Sequence, residues 1–159
     1  MNALFGRTSE RQLDTGLAVL RAVVGIIFIM HGGQKLFVYG LDGVSGGFAQ
    51  MGVPLAGVMG PLVGFVEFFG GIALVLGLLT RLASAGLAFV MVGAILLVHL
   101  PAGFFAPDGY EFPLSLLGAS VLLALAGAGG YSVDAVIGRR MRRDTVQVTD
   151  RPAPVRRAA

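Results

Sequence analysis

The chain of 159 residues is 55% hydrophobic and only 13% charged, with a mean hydropathy of +0.82. A soluble domain carries about 25% charged residues, so the composition excludes an ordinary water-soluble fold and points to the bilayer. The absence of cysteine rules out disulfide, thiol-redox and cysteine–zinc chemistry, and the net charge of +3 comes largely from C-terminal arginines, with no basic surface that suggests nucleic acid.

Met1–Asp14 is a short polar segment carrying Arg7 and Arg11. Glu10 and Asp14 dilute its charge and no small-x-small site follows Met30, so it reads as cytoplasmic and the span after it as retained. That first span is expected over residues 15–33, close to the roughly 20 residues that cross a bilayer. Within and just beyond it, Arg21, Gly25, Phe28, Gly32 and Lys35 fall on one stripe at about 100° per residue, with His31 about 80° to the side. Val23, Ile26, Ile27, Ile29 and Met30 form the opposite, apolar side. A soluble helix turns its cations away from its glycines. Here they share a face, which predicts a polar stripe against protein and a back against lipid.

Tyr39 to Pro54 is glycine-rich, and Asp42 is its only charge; it is expected to form a short interfacial helix in the first outer loop, ended by Gly52 and Pro54. Further spans are expected at 55–79, 82–100 and 113–128, with Glu67 near the middle of the second and His99 near the end of the third. Thr80-Arg81 is a tight connection, Pro107-Asp108-Gly109 marks a turn, and Pro113 suits the first turn of the last span. Residues 15–134 thus make the transmembrane domain, and 135–159 a basic cytoplasmic tail. In that tail Ser132 or Asp134 caps a short helix through Arg139–Arg143, and Thr145–Ala159 reads as disordered. If the N-terminus is cytoplasmic, ten arginines lie on that side (Arg7, Arg11, Arg81 and seven from Arg139 to Arg157) against Lys35 alone outside. The positive-inside rule then predicts an all-α integral membrane protein: an antiparallel four-transmembrane-helix bundle with N and C termini inside.

Depth follows from the rise of about 1.5 Å per residue, which puts Arg21 roughly 10 Å and Glu67 roughly 18 Å from the cytoplasmic side. The difference is one arginine side chain, so a structural ion pair between Arg21 and Glu67 is expected. An unpaired charge at the bilayer centre costs about 2.5–3.5 kcal/mol even on the lenient scale. Gly57, Gly60, Gly64, Glu67 and Gly71 share a stripe of the second span, which is expected to meet the first span glycine against glycine. His31, Lys35, His99 and Glu111 fall near the outer surface.

At these residues the sequence resembles the DoxX family. The resemblance rests on Arg21 with Phe28-x-x-His31-Gly32-x-Gln34-Lys35-Leu36, and on Glu67-x-x-Gly70-Gly71 followed by Gly77-Leu78-Leu79-Thr80-Arg81. It continues through His99 and Glu111-Phe112-Pro113 to Gly127-x-Gly129-x-Tyr131-Ser132-x-Asp134. It implies a small four-helix protein of the bacterial cytoplasmic (inner) membrane. It also implies an association with redox and sulfur metabolism, since the family is named after a subunit of a thiosulfate:quinone oxidoreductase and mycobacterial relatives are linked to oxidative-stress complexes.

The ligand-binding candidates are therefore His31, Lys35, Glu67, His99 and Glu111. Glu67 is either the structural partner of Arg21 or a proton-accepting carboxylate. His31 and His99 are interfacial groups bonded to loop backbone, donor and acceptor for a quinone headgroup, or a haem or metal pair. Lys35 either snorkels to the surface or completes an anion site with His31. There is no Walker-type loop, no strand followed by G-x-G-x-x-G and no G-x-S-x-G motif. Two functions stay open: a redox component that binds quinone or anchors a redox partner protein, and a non-enzymatic subunit or carrier of a small solute or proton. The lipid bilayer is the certain partner, and a homo-oligomer is compatible with the glycine-rich faces.

Overall fold

The computed structural model describes residues 8–105 and 107–149. The remainder of the expected N-terminal segment (1–7) and of the basic tail (150–159) lies outside the described residues. Among the described residues the fold is all helical. α1 (Glu10–Gly33) runs on through wider π-helical turns at Gln34–Tyr39 into α2 (Gly40–Gln50). α3 spans Ala56–Leu76, and α4 (Thr80–Ala94) continues through π-helical turns at Ile95–His99 and a 3₁₀ turn at Leu100–Ala102. α5 spans Glu111–Ala126 and α6 Val133–Thr149. The helical stretches Glu10–Gln50, Ala56–Leu76 and Thr80–Ala102 are long and apolar enough to cross a membrane; α5 is a shorter apolar helix.

Local chemistry explains where the boundaries fall. α1 begins at Glu10, ahead of the polar–apolar boundary at Thr15, because Ser9 and Gln12 form a capping box. The Gln12 amide donates to Ser9 Oγ (3.3 Å) and the Ser9 amide to Gln12 Oε1 (2.9 Å). Gly40, at φ +70°, turns the chain out of the π-helical segment into α2, where a side chain would be strained. Gly77 in the left-handed region ends α3. α6 extends to Thr149, so Thr145–Thr149, expected in the disordered tail, continue the helix instead.

α1 is inside-out, as its stripe requires. Leu17, Arg21, Val24, Gly25, Phe28 and Gly32 are buried, while Val23, Ile26 and Met30 are more than half exposed. α1 and α3 run antiparallel and touch through glycine. A Cβ at Gly25 would strike the Gly71 carbonyl oxygen, and one at Gly32 would strike the Phe68 amide and the Gly64 carbonyl oxygen. Glycine there lets the backbones approach closely, and the gain is close packing, because lipid offers no hydrophobic drive between helices.

This register corrects one expectation. It sets Arg21 beside Gly77, where a Cβ would run into its guanidinium, and sets Glu67 about ten residues, or roughly 15 Å, further along α3. The expected Arg21–Glu67 ion pair is therefore not formed. The depth estimate took the helix ends from hydropathy, whereas the glycine contacts slide α1 against α3 and place Arg21 one helix end away from Glu67.

Apart from Leu17, which lies one turn beyond Arg21 on α1, the apolar core lies between those two levels. It is made of Leu17, Val24, Phe28, Leu74, Leu87, Met91, Leu116 and Leu123, with Leu74, Leu87 and Leu123 fully buried. The molecule thus has two polar ends separated by a packed apolar layer: a terminal end, near the start of α1 and α6, and a loop end, near α2 and residues 103–105 and 107–110.

Candidate functional site

The terminal end is a lock of backbone and side-chain hydrogen bonds around Arg21, which is 2% exposed. Arg21 Nη2 donates to the Tyr131 carbonyl oxygen (2.5 Å), while Nε and Nη1 have no hydrogen-bond partner among the described residues. Asp134 supplies the nearby negative charge. Its carboxylate accepts from the amides of Leu79 (2.8 Å) and Thr80 (2.9 Å), and its own amide donates to the Gly77 carbonyl oxygen (2.9 Å). Leu79 sits at φ +48°, a conformation a branched side chain rarely adopts, and Asp134 holds it there while capping the N-terminus of α4. Asp14 Oδ1 accepts from the Gly130 amide (2.6 Å), tying the loop after α5 to α1. Every polar group with an assigned partner here is spent on structure.

The loop end is different, because it encloses space. A cavity of about 770 Å³ lies between α1, α2, α3, α4 and the start of α5. Its polar lining includes His31, Lys35, Glu67 and His99, and the rest is mainly apolar, from Phe28 and Met91 to Met51, Leu62, Phe89 and Leu97. Four of the five candidates thus line one cavity. Glu111 opens α5 and is not among the lining residues, although its neighbours Phe112 and Pro113 are; its amide donates to the Phe104 carbonyl oxygen (2.9 Å).

Glu67 is 4% exposed and pairs with Lys35: Nζ donates to Oε2 at 2.5 Å. The two residues come from different helices, and the helix geometry explains why they meet. Lys35 follows Gly32 on the α1 stripe and Glu67 follows Gly64 on that of α3, so the register that sets Gly32 and Lys35 against Gly64 brings the pair together, where the chain turns π-helical at Gln34–Tyr39. Such turns interrupt helices at functional positions. A second π-helical segment, Ile95–His99, ends on the cavity's other histidine.

Both histidines have one ring nitrogen committed. His31 Nδ1 lies 2.9 Å from the Ile27 carbonyl oxygen, and His99 Nδ1 lies 2.8 Å from the Asp108 carbonyl oxygen. A carbonyl only accepts, so each Nδ1 carries the proton and each neutral ring keeps Nε2 as an acceptor. The His99 bond to the loop is the arrangement expected of an interfacial histidine, and among the described residues no partner is assigned to its Nε2. The His31 ring also lies 6.0 Å, centroid to centroid, from the Phe112 ring. No cluster of three or more His, Cys, Asp or Glu capable of holding a metal occurs among the described residues.

Sequence reasoning missed the Lys35–Glu67 pair because its depth estimate set Lys35 at the outer surface and Glu67 near the midplane. It also missed the double cap by Asp134, which was expected to serve its own helix. The first was hidden by helix register, the second by irregular backbone. The signal for the second was nevertheless present: Asp134 and Gly77–Arg81 belong to the family motifs quoted above, and they meet in space.

A greasy exterior, apolar helices of membrane-crossing length and charge confined to the interior and ends define a multi-span membrane protein. Residues 16–100 match the DoxX family model. The chain belongs to the DoxX family. Among curated proteins it is 36% identical over 132 residues to "Uncharacterized membrane protein Rv3486" of Mycobacterium tuberculosis, covering 76% of this chain and 80% of that protein. It is 31% identical over 137 residues to "Putative oxidoreductase CatD" of Bacillus subtilis, covering 86% and 98%. It is 35% identical over 130 residues to "Inner membrane protein YqjF" of Escherichia coli, covering 80% and 95%. No solved structure gives a significant match.

Proposed function

We propose that this protein is a redox-associated component of the bacterial inner membrane that binds a quinone headgroup in the cavity at its loop end. The observation that carries the reading is the cavity itself. It combines a part-buried Lys35–Glu67 pair and two histidines whose Nε2 atoms have no assigned partner among the described residues, in an otherwise mainly apolar lining. Ligand sites have that composition: mostly apolar surface with a few convergent polar groups. A quinone headgroup needs donors for its carbonyl oxygens and an acceptor for its hydroxyls when reduced; Lys35 Nζ and the histidine rings are of the right types. When bound, a quinone supplies reversible uptake of electrons and protons, which a chain without cysteine cannot supply by itself. The oxidoreductase wording in the name of CatD supports the same direction.

The topology that goes with this reading has α1, α3, α4 and α5 crossing as an antiparallel bundle. Both termini lie in the cytoplasm, so the cavity faces the outer side. The basic residues near Arg81 and Arg139–Arg143 support it through the positive-inside rule. The apolar layer of Phe28, Leu74, Leu87 and Leu123 separates the cavity from the Arg21 end. That layer favours a binding site over a path for a solute or proton through the bundle.

The reading is tested by organic extraction and mass spectrometry of protein purified in mild detergent, with the visible spectrum recorded alongside. A co-purifying quinone whose amount falls in Glu67→Gln and His31→Ala is expected. A haem absorption band instead would replace quinone by haem on His31 and His99. Absence of quinone together with no binding of added benzoquinone would sink the proposal.

A further inference from the structure

The cavity is not closed on the lipid side, and its mouth tells what kind of ligand it takes. Its lining includes Leu62 of α3 and Phe89 and Leu97 of α4, which are 49%, 80% and 48% exposed. Residues that line a cavity and also show this much surface form its rim. On a membrane-spanning helix that surface meets hydrocarbon. The rim therefore has a lateral side between α3 and α4, besides a loop-end side formed by Met51 and Phe112, each 45% exposed.

The α4 side of the opening carries glycines that no helix contact requires. A Cβ at Gly93 would meet nothing within 4 Å, and one at Gly86 would meet only Val66 at 3.7 Å, an ordinary contact. Both line the cavity. By contrast, the glycines between α1 and α3 are filled by opposing backbone. Glycine in a helix interior is unfavourable relative to alanine, and at Gly93 that cost is not offset by closer packing within the chain.

From this we infer that the seam between α3 and α4 is a lateral portal. Through it the apolar tail of a membrane-dissolved ligand passes along Gly86 and Gly93 while its polar head sits at Lys35, Glu67 and the histidines. The inference rests on the proposed headgroup site and adds the ligand class: an amphipathic molecule with a hydrogen-bonding head and a hydrocarbon tail, entering from the bilayer. The lateral side, lined by Leu62, Phe89 and Leu97, sets such a ligand apart from a water-soluble solute, which would enter at the loop-end side.

The experiment uses the full chain in lipid nanodiscs and two probes, a prenylated benzoquinone and its tail-less counterpart. Gly93→Leu and Gly86→Leu each fill the portal, and Gly93→Ala serves as the control for helix propensity. Circular dichroism confirms that the variants are folded before binding is measured. The expected result is binding of both probes by the wild type. Gly93→Leu and Gly86→Leu then weaken the prenylated probe about tenfold or more, with the tail-less probe unchanged. Equal binding of the prenylated probe by wild type and both leucine variants would overturn the portal and leave the headgroup site standing. So would an equal loss of both probes, since the leucine would then be filling the headgroup site. Failure of the wild type to bind either probe would overturn the headgroup site itself.

Discussion

Lys35 Nζ donates to Glu67 Oε2 at 2.5 Å, and this bond joins the π-helical end of the first membrane helix to the interior of the second. It is an asymmetric pair: the Lys35 side chain is 20% exposed, the Glu67 side chain 5%. Removing one partner of a buried pair costs about 3–5 kcal/mol, because the other charge is left uncompensated, and partial exposure reduces that figure. The asymmetry gives the outcome a direction. Lys35→Met strands a buried carboxylate and is expected to cost about 2–3 kcal/mol. Glu67→Gln frees a long cation that can snorkel out of the bilayer and is expected to cost less. Lys35→Met/Glu67→Gln together are expected to recover most of the loss. Thermal melts in detergent followed by circular dichroism check the order; a Glu67→Gln variant less stable than Lys35→Met would contradict it.

The Asp134 cap makes a second prediction at the other end of the molecule. Its carboxylate satisfies the Leu79 and Thr80 amides at the start of α4. Asp134→Ala leaves both without that acceptor and is expected to lower stability by about 2 kcal/mol, with Asp134→Asn in between. Leu79 is held at φ +48°, so Leu79→Gly removes the strain of a left-handed branched residue and is expected to be neutral or stabilising. A clear loss in Leu79→Gly would mean that the side chain contributes more than the strain takes away.

Glycine substitutions separate contact from mere composition. Gly32→Ala and Gly71→Ala drive a Cβ into opposing backbone and are expected to cost about 1–3 kcal/mol by forcing α1 and α3 apart. Gly16→Ala and Gly118→Ala meet nothing within 4 Å and are expected to gain up to about 1 kcal/mol from helix propensity. The same melts check the split, and a uniform response across the four positions would remove the α1–α3 glycine contact from the account.

Topology is open to a direct measurement because the chain has no cysteine. Gly46→Cys in α2 and Gly138→Cys in α6 both place the thiol where a Cβ meets nothing. With both termini in the cytoplasm, an impermeant maleimide added to intact cells is expected to label Gly46→Cys and not Gly138→Cys, which reacts only after permeabilisation. The reverse pattern would invert the assigned orientation and move the cavity to the cytoplasmic side.

Hydropathy and helical periodicity were enough to mark the apolar helices, the inside-out face of α1 and the glycine contact with α3. All three depend only on regular helix geometry, in which a residue's face follows from its number. The polar pairing was legible only in part. Arg21 and Glu67 were recognisable as interior charges, but their partners depend on how far one helix slides along the other, and that is decided by which glycines meet. Lys35 meets Glu67 for the same reason: it shares a stripe with Gly32, and Gly32 is set against Gly64 on the helix that carries Glu67. His31 and His99 line one cavity from helices distant in sequence, which only the fold reveals, while Glu111 is not among the lining residues.

The committed Nδ1 atoms allow the histidines to be tested by atom. In both rings Nδ1 is bonded to a backbone carbonyl oxygen, so Nε2 is the nitrogen available to a ligand. Asparagine places its amide near the position of Nδ1, and glutamine reaches toward that of Nε2. If the headgroup is bound through Nε2, His31→Gln is expected to retain more affinity for benzoquinone than His31→Asn, with the same order at position 99. A lost hydrogen bond to a neutral group is worth about 1 kcal/mol, which corresponds to a fivefold to tenfold weakening for the asparagine variants. Stability moves the other way, because Nδ1 anchors the local backbone: the asparagine variants are expected to melt closer to wild type than the glutamine variants. Affinity and stability that rise and fall together across these variants would mean that both nitrogens serve structure alone, and the histidines would leave the site.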